Sequence, residues 1–370
     1  MIVDASFVDK INTYLENLQG INNYEYYPSS NGITEYGNKL QLGFSCYALK
    51  ILFITKKWEN LKDSEKNDWI DYINSFQANF KNLPNNSYID PVFIDDYGSF
   101  NFNRFAKNII KKSLSLFDLY SYDDPLTKLK NNIRAETKQA IATLYQVGNE
   151  NKLEYLEFEN KTRDINEFLS SFNWNRPWHA GAQFSALCVF NSTQLKDENR
   201  RNGINDLNKF IESKLDLDTG LYYEDTLPSI SESINGSMKV LSGLDWLDSS
   251  IHLPEKLIDF CLETKPSNEG CDLVDVVYVL YRCSKETDYK KKEISKYFKI
   301  IEEIIFSHYK SDEGGFSYFI NNSQEYYYGL KVTNGNNVAD IHGTILLLWA
   351  ISMIYDFENE ENQLFNIIKP

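Results

Sequence analysis

The chain has no GxxxxGK loop, no GxGxxG turn and no GxSxG elbow, so the common devices for cradling phosphate or aiming a serine nucleophile are absent. Its five cysteines are odd in number, scattered and without a CxxC pair. That excludes a disulfide frame and fits reduced thiols. Only four histidines occur in 370 residues. Positive charge is in deficit: the net charge is −15, a poor balance for gripping a phosphate backbone or an anionic membrane. The opening stretch "MIVDASFVDKINTYLENLQG" lacks a basic leader and an apolar core. The longest apolar run, "TILLLWAISMIY", falls short of a bilayer span. A cytoplasmic protein with no membrane span and no nucleic-acid partner is therefore expected. Period-two alternation, the mark of half-buried strands, is also rare.

Aromatic residues are plentiful instead: 25 tyrosines and 23 phenylalanines, enough to line a cavity as well as fill a core. Apolar segments recur with helical spacing, and Pro and Gly fall between them. Six of these are apolar nearly all round: 38–55, 134–147, 177–191, 231–244, 272–283 and 340–355. Between them lie amphipathic segments at 63–80, 159–171, 203–214, 254–262 and 287–309, with 4–18 supplying a sixth. A helix buried on most sides belongs in an inner layer and an amphipathic one outside. The alternation predicts an all-α fold, an (α/α)6 toroid of inner and outer helices, in one domain over 1–370 with an insertion at 101–130. An open α-solenoid is the alternative, and the valine-rich 272–283 run also has strand propensity.

In "GCDLVDVVYVLYRC", residues 270–283, Asp275 interrupts a run of valines, leucines and tyrosines. An unpaired carboxylate there is costly, so it must be solvated, paired or used. If Asp272 caps the helix, Asp275 falls in the first turn, where exposed N–H groups favour a carboxylate. Capping alone does not explain the polar residues in the same turn of the other inner helices: Arg134, Glu136, His179, Gln183, Glu232, Asn235, Asp340 and His342. Histidine in particular is favoured at the opposite helix end. With parallel inner helices these groups converge at one mouth. Tyr278, three residues after Asp275, is expected on the same face. Trp178 in "NWNRPWHAG" offers a stacking wall, although packing is the simpler role. The acidic pairs at 95–96 and 123–124 are incomplete as metal motifs.

Two segments resemble protein prenyltransferase β subunits. "DLVDVVYVLY" is similar to their zinc-site segment, in which an Asp is followed two residues later by Cys, and "DIHGTILLLWAIS" to the closing segment that carries the zinc-binding His. The turn-rich "SFQ…YIDP" is similar to the repeats of terpenoid cyclases, which share the α/α toroid. The resemblance matches Asp275 to the metal-binding Asp and His342 to the His, but places Val277 where the thiolate ligand belongs. No DxDD acid motif is present.

These features lead to the expectation of an enzyme without metal or cofactor, acting on a small neutral glycan or isoprenoid-like molecule in an aromatic cavity. Asp275, Asp340, His342 and His179 are the expected acid/base groups. Arg134, Glu136, Trp178, Gln183, Glu232, Asn235 and Tyr278 are the expected substrate contacts. The alternatives are a scaffold that has lost an ancestral metal site, and a Mg or Mn site built from Asp275, His342 and Asp340.

Overall fold

The computed structural model describes residues 3–98, 124–155, 165–359 and 362–370. Its helices run α1 (Ala5–Asn17), α2 (Glu35–Lys39), α3 (Leu42–Ile54), α4 (Asp63–Asn74), α5 (Pro91–Gly98), α6 (Pro125–Gln146) and α7 (Ile165–Ser170). They continue with α8 (Pro177–Gln194), α9 (Asp197–Glu212), α10 (Ile230–Trp246), α11 (Pro254–Glu263), α12 (Gly270–Ser284), α13 (Lys291–Ser307) and α14 (Ile341–Glu358). Strands are confined to two-residue pairs among the described residues.

The even-numbered helices α6 to α14, with α3, form the inner layer. Each packs on the next, and α14 packs back on α3. This closure is what an open solenoid lacks; the fold is an all-α (α/α)6 toroid. Around it stand α1, α4, α7, α9, α11 and α13, each against an inner neighbour. The layers follow from the side chains. On α13 the buried residues are Ile294, Tyr297, Phe298, Ile301 and Ile305, a single stripe at three- and four-residue spacing. On α14 burial runs nearly all round, including Ile345, Leu347 and Trp349. Leu346 is only half-buried, because it faces the interior of the ring. The 272–283 run is a helix despite its valines; as part of α12 it is flanked by α10, α11, α13 and α14.

Contacts between neighbours show that the inner helices are parallel. Asn235 near the start of α10 meets Asp272 near the start of α12, and Asp245 near its end meets Tyr278 and Arg282. Tyr278 lies against Trp349 of α14, and Tyr281 reaches Asp356. Helices α8 and α10 approach closely through glycines. A Cβ on Gly236 would lie 2.6 Å from that of Pro177, and one on Gly243 2.8 Å from the Phe184 ring.

One device recurs between outer and inner helices, a short antiparallel turn. It appears as Gln19↔Tyr26 after α1, Gln77–Ala78 with Ser87–Tyr88 after α4, Leu215↔Tyr222 after α9, and Tyr309–Lys310 with Gly315–Phe316 after α13. A further hairpin, Tyr326–Tyr327 with Leu330–Lys331, precedes α14. The opposite end is sealed by residues 362–370. Asn366 N–H donates to the Ile54 carbonyl at 2.9 Å, Trp246 Nε1 to the Pro370 carbonyl at 2.6 Å, and Phe365 and Ile368 are buried.

Two expected boundaries move. Of the insertion expected over 101–130, residues 101–123 lie outside the described residues; Pro125 onward belongs to α6, which starts nine residues before the expected 134. Helix α14, with 18 residues, is long and apolar enough to cross a membrane by length and composition, so the estimate from "TILLLWAISMIY" was too short. In this fold 67% of it is buried inside the ring.

Candidate active site

Several inner-layer side chains keep partial exposure although the ring surrounds them: Tyr47, Lys138, Lys239, Cys271, His342 and Leu346. They come from five of the six inner helices, and mark open space inside the ring.

Asp275 is one of the carboxylates at this interior. It sits in the second turn of α12, beyond the unpaired N–H groups of the helix start. The capping role is therefore excluded, and Asp272, expected as the cap, instead accepts from Asn235 Nδ2 at 2.9 Å and Ser231 Oγ at 3.1 Å. Asp275 is 1% exposed and makes no ion pair within the described residues; the Cys271 thiol lies 3.9 Å from its Oδ2. Burial pushes its carboxyl up to about 7, with Asp272 adding to the rise and the Lys239 charge and the Cys271 contact opposing it.

His342 stands on the adjacent helix, in the first turn of α14. Its ring stacks on Tyr47 with centroids 5.0 Å apart and lies 5.4 Å from Tyr318. Nδ1 is buried without a hydrogen-bond partner. Burial, and then the Lys239 charge, lower the imidazole to about 4, so it is neutral at physiological pH. No ion pair joins Asp275 to His342, so the carboxylate does not hold the imidazole in its protonated form. Tyr318 stands between, its ring on His342 and its hydroxyl coupled to the Cys271 thiol beside Asp275.

The remaining expected residues divide. Arg134 and Gln183 do meet, with Nη1 donating to Oε1 at 2.9 Å, and the guanidinium lies 4.9 Å over the Phe168 ring. Glu136 is fully buried. The Tyr327 hydroxyl donates to its Oε1, its Oε2 has no partner, and burial raises its carboxyl to about 8. Asp340 is committed to the backbone. It caps α14 through Gly343 N–H at 2.7 Å and accepts from Tyr318 N–H at 2.7 Å and Gln324 N–H at 3.1 Å. Burial raises its carboxyl to about 7 against these hydrogen bonds; no group of three ligating side chains gathers among the described residues. Asp90 does the same for α3 through Gln41 and Leu42 N–H. Tyr278 is buried, and although three residues place it only about 60° round the helix from Asp275, its hydroxyl donates to Asp245 of α10 at 3.1 Å and its ring lies against Trp349 of α14. His179 and Trp178 are exposed, His179 against the Phe172 ring. Glu232 accepts from the Trp178 backbone N–H at 2.9 Å, and Asn235 ties α10 to Asp272, so both brace the rim. Val277 is sealed in the core, 0% exposed.

Sequence reasoning missed the lysines. Lys50, Lys138 and Lys239 each interrupt an apolar inner helix, the same signal that singled out Asp275. Burial lowers Lys50 to about 8. Burial first, then the Lys50 and Lys239 charges, hold Lys138 well below the usual range. The hairpin tyrosines were missed too, because nothing in "QEYYYGLKV" says where its rings go. Tyr328 and Gly329 form the two-residue turn with φ of +44° and +87°, the left-handed pair that such a hairpin requires. Asn132 of α6 donates to the Tyr328 carbonyl at 3.1 Å and pins the tip to the ring. Tyr327 is thereby wedged between α3 and α6, 5.5 Å from the Phe44 ring.

No family model matches the chain, and no curated protein matches it. A solved structure with a similar fold is the GH76 α-mannanase of Bacteroides thetaiotaomicron, at a TM-score of 0.45 and 10% identity, covering 96% of this chain and 97% of that one.

Proposed function

We propose that the protein is an enzyme performing acid/base chemistry on a carbohydrate-like molecule in the cavity of the ring, with Asp275 as proton donor and His342 as proton acceptor. The observation that carries this is Asp275: a buried carboxyl, past the helix cap and outside any ion pair among the described residues, with its midpoint near neutrality. A proton donor works best when its midpoint lies near the working pH, and burial is the usual means of raising a carboxyl to that range. His342 is neutral on the adjacent helix with Nδ1 unpaired, as an acceptor must be. A molecule held in the ring on the side of α12 and α14 would meet both, with Tyr47 and Tyr318 as faces to stack on.

A polyhydroxylated ring suits this wall better than an isoprenoid chain. Ammonium, imidazole and phenol groups left facing hydrocarbon would be desolvated without partners. Prenyl transfer of the zinc-thiolate kind also has no thiolate at Val277. The test is a turnover screen over 4-nitrophenyl glycosides and reducing disaccharides with the wild type, Asp275→Asn and His342→Gln. Either replacement is expected to lower kcat about a hundredfold or more with circular dichroism unchanged. Full turnover by folded Asp275→Asn protein sinks the acid/base assignment; saturable binding without turnover by the wild type marks a binding protein instead.

A further inference from the structure

Three lysines stand on the inner layer of an acidic protein. Lys50, Lys138 and Lys239 come from the middle parts of three different inner helices, α3, α6 and α10; the Lys50 and Lys239 charges act on Lys138, and the Lys239 charge on Lys50. Lys50 is only 8% exposed, yet no ion pair or hydrogen bond holds any of the three among the described residues. The nearest acidic groups do not answer them. Asp275 acts on Lys239 from beyond ion-pair distance, and Asp275 and Glu136 are themselves pushed toward their neutral forms by burial. Collecting like charges in a partly dry chamber is unfavourable unless an opposite charge arrives. The chain has no shortage of carboxylates to pair them with: 53 Asp and Glu stand against 38 Lys and Arg, and surface lysines such as Lys214 and Lys290 do have acidic partners.

We propose that Lys50, Lys138 and Lys239 form a receptor for an oxyanion group, a carboxylate, sulfate or phosphate, carried by the molecule that enters the cavity. An acidic sugar would place its ring against Tyr47 and His342 and its charged substituent among the lysines. This refines the expected neutral substrate to an anionic one. It rests on the cavity being the substrate site, but not on Asp275 being catalytic.

The experiment is isothermal titration of the full chain with D-glucuronate, inorganic sulfate and inorganic phosphate at constant ionic strength, with D-glucose as the uncharged control. At least one oxyanion is expected to bind saturably at one site, at least about tenfold more tightly than glucose. Glucuronate alone indicates a uronate sugar; sulfate or phosphate alone indicates the corresponding ester. Lys239→Gln and Lys138→Gln are each expected to weaken that binding about tenfold or more. Lys50→Met is expected to weaken it too while raising the Tm of the unliganded protein, since it removes an unpaired buried charge; a lysine serving only as a strut would lower the Tm. Should one variant fail to fold, the other two carry the test. Absence of saturable binding by all three anions, binding equal to that of glucose, or affinity unchanged in the lysine variants overturns the proposal. Asp275→Asn separates the two readings: retained anion binding with lost turnover supports both, and retained binding with full turnover removes only the acid/base assignment.

Discussion

Asp275→Asn keeps the shape and the hydrogen-bonding capacity of the buried side chain while deleting its ionisation, so its effect on stability is calculable. The folded value is raised to about 7 from an ordinary 3.8. A raised carboxyl means that the folded state prefers the protonated form. The penalty is therefore absent below the unfolded value, grows as pH rises between the two values, and is complete above the folded one. At roughly 1.4 kcal/mol per unit, it reaches about 4 kcal/mol at pH 8 and less than half of that at pH 5. The variant escapes it, and should be more stable than the wild type by a margin that widens by about 2 to 3 kcal/mol from pH 5 to pH 8. Other titrating groups are common to both proteins and cancel in the difference. Urea unfolding of both at four or five pH values, read by circular dichroism, measures the margin. A margin flat with pH would mean that Asp275 is solvated or paired in solution, and would remove the basis for its role as a proton donor.

The neutral state of His342 is open to NMR. Its imidazole protons should stay unshifted as pH falls from 8 to about 5, because burial holds it at about 4; a midpoint above 6 would refute the desolvated environment inferred from the geometry. Gly236→Ala tests the closeness of α8 and α10. The added methyl would fall 2.6 Å from Pro177 Cβ, so thermal unfolding should reveal a loss of about 1–3 kcal/mol, and an unchanged Tm would show that the ring has slack at this contact.

The toroid was legible in the sequence because it rests on local rules. Whether a helix is apolar all round or along one stripe is written in its own residues, and that pattern assigned 340–355 to the inner layer and 287–309 to the outer. Asp275 was legible for the same reason, as a charge where the pattern calls for an apolar group, and Lys50, Lys138 and Lys239 carried that signal unread. What the sequence left open was direction and partner. Asp275 and Asp340 are both aspartates near the start of an inner helix. One hydrogen-bonds three backbone N–H groups and the other is buried beside the Cys271 thiol with no ion pair among the described residues, a difference set by where the 309–340 segment folds back over α14. Tyr278 lies three residues from Asp275, yet the neighbouring helices take it elsewhere. The ring of six closes only when α14 meets α3, nearly 300 residues apart in the chain, and no local pattern encodes that contact. Secondary structure and layer follow from hydrophobic periodicity; the chemistry of the interior follows from burial, which only the closed ring supplies.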